Sequence, residues 1–255
     1  MKRLVLVLAL LCWNSVAWAE SYSALLEGGL KLRYEHRNQK SQQITGFSEL
    51  SYHRDDRGRI EERLLNRKPE GKLFQEKHSL FDSRGYLLSY QEVDHRRGLK
   101  VTDLVQKGRL VSQVELEGKK RSFGESLAGD LVPFELLTLF LQKHLSEIKS
   151  KGDLNFKLYL PQLAFELEKK GMSRDMAKID VVAKLEGEVQ MDTVRGKAAV
   201  LELVVTPTNP MLQMLLPPEQ SKFNFGYFAK APHYLVYFSE AQTKSVLVEI
   251  EAPGP

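Results

Sequence analysis

Glycines at near-regular intervals, set between runs that alternate apolar and polar residues, constrain this chain most. Gly58, Gly71, Gly85, Gly98, Gly108 and Gly118 lie 10 to 14 residues apart. Between and before them the alternation is plain. Leu30, Leu32 and Tyr34 fall on one parity and Lys31, Arg33 and Glu35 on the other. Tyr86, Leu88 and Tyr90 repeat the pattern, and so do Leu110, Val114 and Leu116. A period of two places one face in a core and the other in water. Glycine supplies the positive φ that tight hairpins need. The spacing therefore predicts an up-and-down antiparallel meander. The segments share no signature beyond the glycine, which speaks against a propeller or solenoid repeat.

The period changes after Asp130. Phe134, Leu137, Leu141, Leu145 and Ile148 recur at steps of three and four, the spacing of an amphipathic helix. Asp130 can cap it and Pro133 suits its first turn. Lys143 and Lys149 suit the C-terminal end of the dipole, and Gly152 is placed to stop it. These signals predict a helix over 131–149 whose apolar face packs on the concave side of the sheet.

Strands resume beyond it. Leu154, Phe156, Leu158 and Leu160 alternate with other positions, and Leu163, Phe165 and Leu167 read as a further strand after a bend at Pro161. Ile179 to Leu185 alternates, Gly187 is placed to turn the chain, and Ala199 to Val205 reads as a buried central strand. Two strands, 234–238 and 245–250, close the chain around a turn at Gln242 and Thr243. Thr206 to Pro218 does not fit the meander. It holds Met211, Leu212, Met214, Leu215 and Leu216 between prolines, which allow only a turn or two of helix. Such a segment can plug the end of the sheet, or form a lip over an apolar cavity, for which methionine is suited.

The first residues address the compartment. Met1-Lys2-Arg3 precedes the apolar run Leu4 to Leu11, and Val16-Ala17-Trp18-Ala19 gives a small-x-small site before Glu20. This is the layout of a cleavable secretory signal. It predicts cleavage after Ala19, a periplasmic product, and a single β-rich domain over 20–255 with no remaining transmembrane segment. Cys12, the only cysteine, leaves with the signal, so no disulfide forms in the product. The 37 Lys and Arg against 33 Asp and Glu become 35 against 33 once Lys2 and Arg3 are removed. That balance, with no basic stripe interleaved with aromatics, gives no reason to expect nucleic acid as a partner.

No catalytic or metal-binding motif stands out. The six histidines lack metal-ligand spacing, although His36 and His53 can face each other across neighbouring strands. Gly124-Glu125-Ser126-Leu127-Ala128 approaches a nucleophile elbow but closes with alanine, and Ser146 to Lys149 matches S-x-x-K only by letters. Glu166 and Glu168 would share a strand face, as a paired acid and base or, more simply, as a solvated surface. No cofactor site is expected.

The order of features resembles the uncharacterised bacterial periplasmic families of unknown function. The resemblance rests on "GLKLRYEHR" from Gly29, "FDSRGYLLSYQ", the helix "PFELLTLFLQKHL", the strand "VRGKAAVLELVV" and the closing "YLVYFSEAQTKSVLVEIEA". At fold level it is also similar to periplasmic lipoprotein carriers. It implies a mainly β fold, a curved antiparallel sheet or open barrel with one central amphipathic helix, and it carries no catalytic residues. The function expected is non-catalytic binding or carrying of an apolar ligand such as a lipid. Phe134, Leu137 and Leu141 on the helix and Met211, Met214 and Leu215 as a lip are the candidate contacts. The alternatives are an envelope interaction protein that pairs through an exposed sheet edge, and a hydrolase with an unrecognised site.

Overall fold

The computed structural model describes residues 22, 25–127, 130–209 and 222–252. The expected signal sequence and the segment holding Met211, Met214 and Leu215 lie outside them. The first arm of the fold is a run of eight strands: β1 (Lys31–Asn38), β2 (Ile44–Arg54), β3 (Ile60–Arg67), β4 (Leu73–Phe81), β5 (Leu87–Asp94), β6 (Leu99–Gln106), β7 (Arg109–Leu116) and β8 (Lys119–Ser126). The second arm begins with the short β9 (Leu131–Pro133), a 3-10 turn (Phe134–Leu136) and helix α1 (Leu137–Lys151). Then come β10 (Asp153–Tyr159), helix α2 (Pro161–Lys169) and a second 3-10 turn (Arg174–Ala177). Strands β11 (Lys178–Thr193), β12 (Gly196–Pro207), β13 (Phe223–Phe228), β14 (Leu235–Glu240) and β15 (Thr243–Glu251) complete it.

All fifteen strands join one curved, unclosed sheet in the order β8 through β1, then β15 down to β9. Each arm is a meander, and the two meet where β1 pairs with β15. Every pairing is antiparallel except β9 with β10. Leu32 lies opposite Leu50 on one neighbour and Ile250 on the other, so the apolar parity of β1 matches both arms. The turns follow from side-chain chemistry. Asp55 and Asp82 each accept from two backbone N–H groups of their own turns, with N···O distances of 2.9 to 3.0 Å. The chain reverses at Gly58 and Gly85, whose φ values of +75° and +81° suit glycine.

Helix α1 lies on the concave side. Leu141, Leu145 and Ile148 are fully buried in one core with residues of β1, β10, β12 and β13, and the rings of Phe140 and Phe156 are 4.8 Å apart. Gly152 ends the helix with φ +88° and its N–H on the Ile148 carbonyl, as expected. The start differs from expectation. Residues 131–133 are extended and pair with β10, the Asp130 carbonyl accepts from Lys157, and regular helix begins only at Leu137. The reason is that pairing with β10 satisfies this backbone as a strand.

Two further expectations are corrected. Residues 161–169 form α2 and not a strand. Pro161 sits in the helix's first turn, where its missing N–H costs nothing, and Ala164 and Phe165 bury against Leu110, Val114 and Phe123 in a second core. Gly187 does not turn the chain. β11 runs on to Thr193, and the glycine lies at a bulge in its register with β12.

The core contribution of α1 can be tested by urea unfolding. Leu141→Ala should cost about 2–5 kcal/mol, because the site is sealed and a cavity remains. Gly85→Ala should cost roughly 1–2 kcal/mol through its left-handed backbone alone. Loss of less than 1 kcal/mol at Leu141 would contradict the placement of α1 in the core.

Candidate binding cleft on the concave face

Between α1 and the middle of the sheet lies a cleft of about 40 Å³. The helix contributes Thr138, Leu139 and Gln142. Strands β1 and β2 contribute Leu32, Tyr34, Leu50 and Tyr52, and Tyr227, Tyr234 and Leu235 close the far wall. This is room for a few waters at most. The helix therefore nearly fills the concavity, and a longer ligand requires helix and sheet to separate.

Polar contacts ring the cleft. The Tyr227 hydroxyl donates to the Thr138 carbonyl at 2.9 Å, and Gln142 Nε2 donates to the Pro232 carbonyl at 2.7 Å. Both tie α1 to the β13–β14 hairpin. The Tyr34 hydroxyl donates to the Leu235 carbonyl at 3.2 Å. The Tyr234 hydroxyl donates to Glu27 at 2.9 Å, and the Arg195 guanidinium lies 5.3 Å above its ring. Burial pushes the Tyr34, Tyr52 and Tyr227 phenols well up, and Glu62 beside Tyr34 and Tyr52 pushes those two further. Burial and the bond to Glu27 push Tyr234 up to about 12. All four are neutral walls at any physiological pH.

From this cleft a hydrogen-bonded chain runs across the inner face of the first arm. His36 bridges Ser245 on β15 (Nδ1, 2.6 Å) and Ser48 on β2 (Nε2, 2.5 Å). Ser48 bonds Asn66, Asn66 Nδ2 donates to Gln75 Oε1 at 2.6 Å, and Gln75 Nε2 donates to Glu92 Oε1 at 2.6 Å. Tyr90 donates to the other Glu92 oxygen at 2.6 Å. Six neighbouring strands are joined this way. Glu62, half-buried and bonded by Ser79 at 2.9 Å, is pushed up by desolvation.

Of the helix residues singled out from sequence, Leu137 and Leu141 are buried in the core and Phe134 packs partly buried against it. The cleft wall of α1 is instead residues 138, 139 and 142. His36 and His53 do not meet: His36 lies opposite Gly46 and His53 opposite Glu61. Glu166 and Glu168 sit two apart on α2, so they point to different sides, and Glu168 faces Arg121 at 3.4 Å. Ser126 ends strand β8 and Ser146 lies on α1. Among the described residues no group of three or more His, Cys, Asp or Glu is placed to hold a metal. Of the cleft tyrosines, Tyr34 and Tyr52 show in the sequence only as an inward parity on β1 and β2, whereas Tyr227 and Tyr234 belong to the dense aromatic run on either side of Pro232.

No protein-family model matches the chain, and no curated protein matches it either. Among solved structures, it is similar to a β-barrel-like protein of a domain of unknown function from Brucella abortus. The TM-score is 0.51 at 11% identity, over 87% of this chain and 96% of that one. Similarity at TM-scores of 0.36 and 0.35 extends to an exported protein of YmcC-like fold from Bacteroides fragilis and a lipoprotein from Parabacteroides distasonis. The identities are 10% and 9%, covering 88% and 89% of this chain and 96% of each of those. The Brucella likeness shows a shared fold, in keeping with the resemblance to uncharacterised families read from the strand and turn motifs.

The His36 bridge carries a prediction. Burial lowers its pKa, so it is neutral in the folded chain and protonates more readily unfolded. Its contribution to stability is present above about pH 6.5 and is lost as pH falls through the folded value. The stability difference between the wild type and His36→Gln, measured by urea unfolding, should shrink steadily on acidification below that pH. A difference constant from pH 7.5 to pH 5 would contradict a neutral His36.

Proposed function

We propose that this chain is an exported, non-catalytic envelope protein that holds the apolar part of a ligand such as a lipid between α1 and the concave face. One observation carries the reading: the contact between helix and sheet is a cleft walled by leucines and tyrosines, with one threonine and one glutamine as its only other residues. Such a lining offers apolar area with a few fixed polar groups, the usual make-up of a small-molecule site. The tyrosine hydroxyls and Gln142 supply the polar groups of the lining, and the leucines its apolar area. Residues 20–255 act as one unit after cleavage behind Ala19, in the periplasm. Phe134, Leu137 and Leu141 set the position of the helix, and Met211, Met214 and Leu215 form a lip over the ligand.

The edges of the sheet lend less support to pairing with a partner strand. β8 presents the exposed Lys119, Lys120 and Arg121, and β9 is three residues long and ends in proline. Both are devices that discourage strand addition.

Two measurements test the proposal. The exported product should have the mass of a chain that begins at Glu20. A mass retaining residues 1–19 would contradict the assigned cleavage. Binding of the fluorescent fatty acid cis-parinaric acid should weaken by on the order of tenfold or more in Leu235→Trp, which narrows the half-buried rim. Leu104→Trp, on the outer face, should bind as the wild type does. Equal affinities for both variants, or no binding by the wild type, would contradict a ligand in this cleft.

A further inference from the structure

The inner face of β5 to β8 carries buried charge that the cleft does not use. Asp103, midway along β6, is 0% exposed, and neither carboxyl oxygen has a hydrogen-bond partner. Ser112 lies opposite it on β7, equally buried and with its hydroxyl unpartnered. The Tyr159 hydroxyl on β10 and Glu135 Oε1 are in the same condition. Five buried side-chain oxygens without a hydrogen-bond partner thus belong to these four residues. Each such atom gives up its hydration with no bond in return, so their convergence asks for a cause.

The chemistry of the pair supplies one. Glu135 lies in the 3-10 turn that leads into α1, and its carboxyl comes within bonding reach of Asp103. Two ionised carboxylates can only accept, so they cannot satisfy each other. One proton turns one of them into a donor. Burial, then the charge of the neighbouring Asp103 carboxyl, pushes Glu135 well above the usual carboxylate range. Burial also pushes Asp103 up, while Glu135 and Ser112 close beside it draw it down.

The groups around the pair do not neutralise it. From β5, Glu92 adds negative charge and Tyr90 lies opposite Asp103, donating to Glu92. From β8, Glu125 is already held by Lys178 of β11 at 2.6 Å. Tyr159 of β10 is a neutral phenol pushed up by burial. Lys77 of β4 draws Glu135 down, and its Nζ lies 4.0 Å from Glu92.

We propose that Asp103 and Glu135 share one proton and form a latch, which fastens the turn entering α1 to the inner face of β6 and lets go when the proton is lost. The sign follows from the raised folded values. The folded chain binds the proton more tightly than the unfolded one. The latch's stabilisation is complete below the ordinary carboxylate range and fades as pH rises through the folded value. Release acts on the helix that walls the cleft, since Glu135 precedes Thr138 by three residues. The latch holds whether or not the cleft takes a ligand.

Hydrogen exchange on the whole exported chain tests this. After correction for intrinsic rates, the amides of α1 should exchange on the order of tenfold faster at pH 9 than at pH 6, one unit of linked titration. Those of α2, a separate helix that does not follow the Glu135 turn, should not change. In Glu135→Gln, a permanent donor, the pH dependence of α1 should vanish. Infrared difference spectra should also show a protonated carboxyl band at neutral pH in the wild type, weakened in Glu135→Gln and shifted to lower pH in Asp103→Asn. Parallel behaviour of α1 and α2 in the wild type would overturn the latch, even if no variant folds. So would an unchanged pH dependence of α1 in Glu135→Gln.

Discussion

The double pairing of β1 is the interaction on which the rest depends. It hydrogen-bonds β2 on one side and β15 on the other, and so joins two meanders into a single sheet. Without it each arm would present a long open edge, the usual template for aggregation. The joint is held from inside. Leu30, Leu32 and Tyr34 are buried against the core of α1, whereas the outward pairs Lys31–Glu251 and Arg33–Glu249 are exposed and contribute little. Because β1 and β15 lie at opposite ends of the chain, this joint also closes the longest loop in the fold. Topology of that kind folds slowly.

The joint divides the inner surface into two regimes. Around α1 the contacts are dominated by leucine, phenylalanine and tyrosine, and the cleft lies among them. Across the first arm the inner face turns polar, with the chain from His36 to Glu92 and then the Asp103–Glu135 pair. Buried polar chains of this kind strengthen one another and specify a single arrangement when all members are satisfied. The cleft lies on the border, where Tyr52 touches both Glu62 and the apolar wall. A ligand there would meet an apolar body and a polar end, which suits an amphiphile better than a pure hydrocarbon.

The meander, the curved β fold, the helix end at Gly152 and the closing hairpin were legible because each rests on local chemistry: parity, positive φ and a helical stop. Helix α2 was not. Leu163, Phe165 and Leu167 alternate as a strand would, while the buried helical set of Pro161, Ala164 and Phe165 hides behind a proline that equally suits a bend. The polar ladder was hidden for a related reason. In β4 the register turns Gln75, Lys77 and Ser79 inward, beside Asn66, Leu64 and Glu62. A reading that assigns polar residues to water inverts that strand. Asp103 and Glu135 are far apart in sequence, and only the fold brings them together. The cleft tyrosines were likewise visible as inward residues, but not as neighbours of Thr138 and Gln142.

In the proposed function the space between α1 and the concave face takes an apolar ligand. Native mass spectrometry of the exported protein, purified gently from a periplasmic extract, tests it most directly. The expected result is a reproducible added mass, released by organic solvent and identified as a lipid or another amphiphile. A bare polypeptide mass in repeated preparations, unchanged after incubation with total envelope lipid, would contradict it.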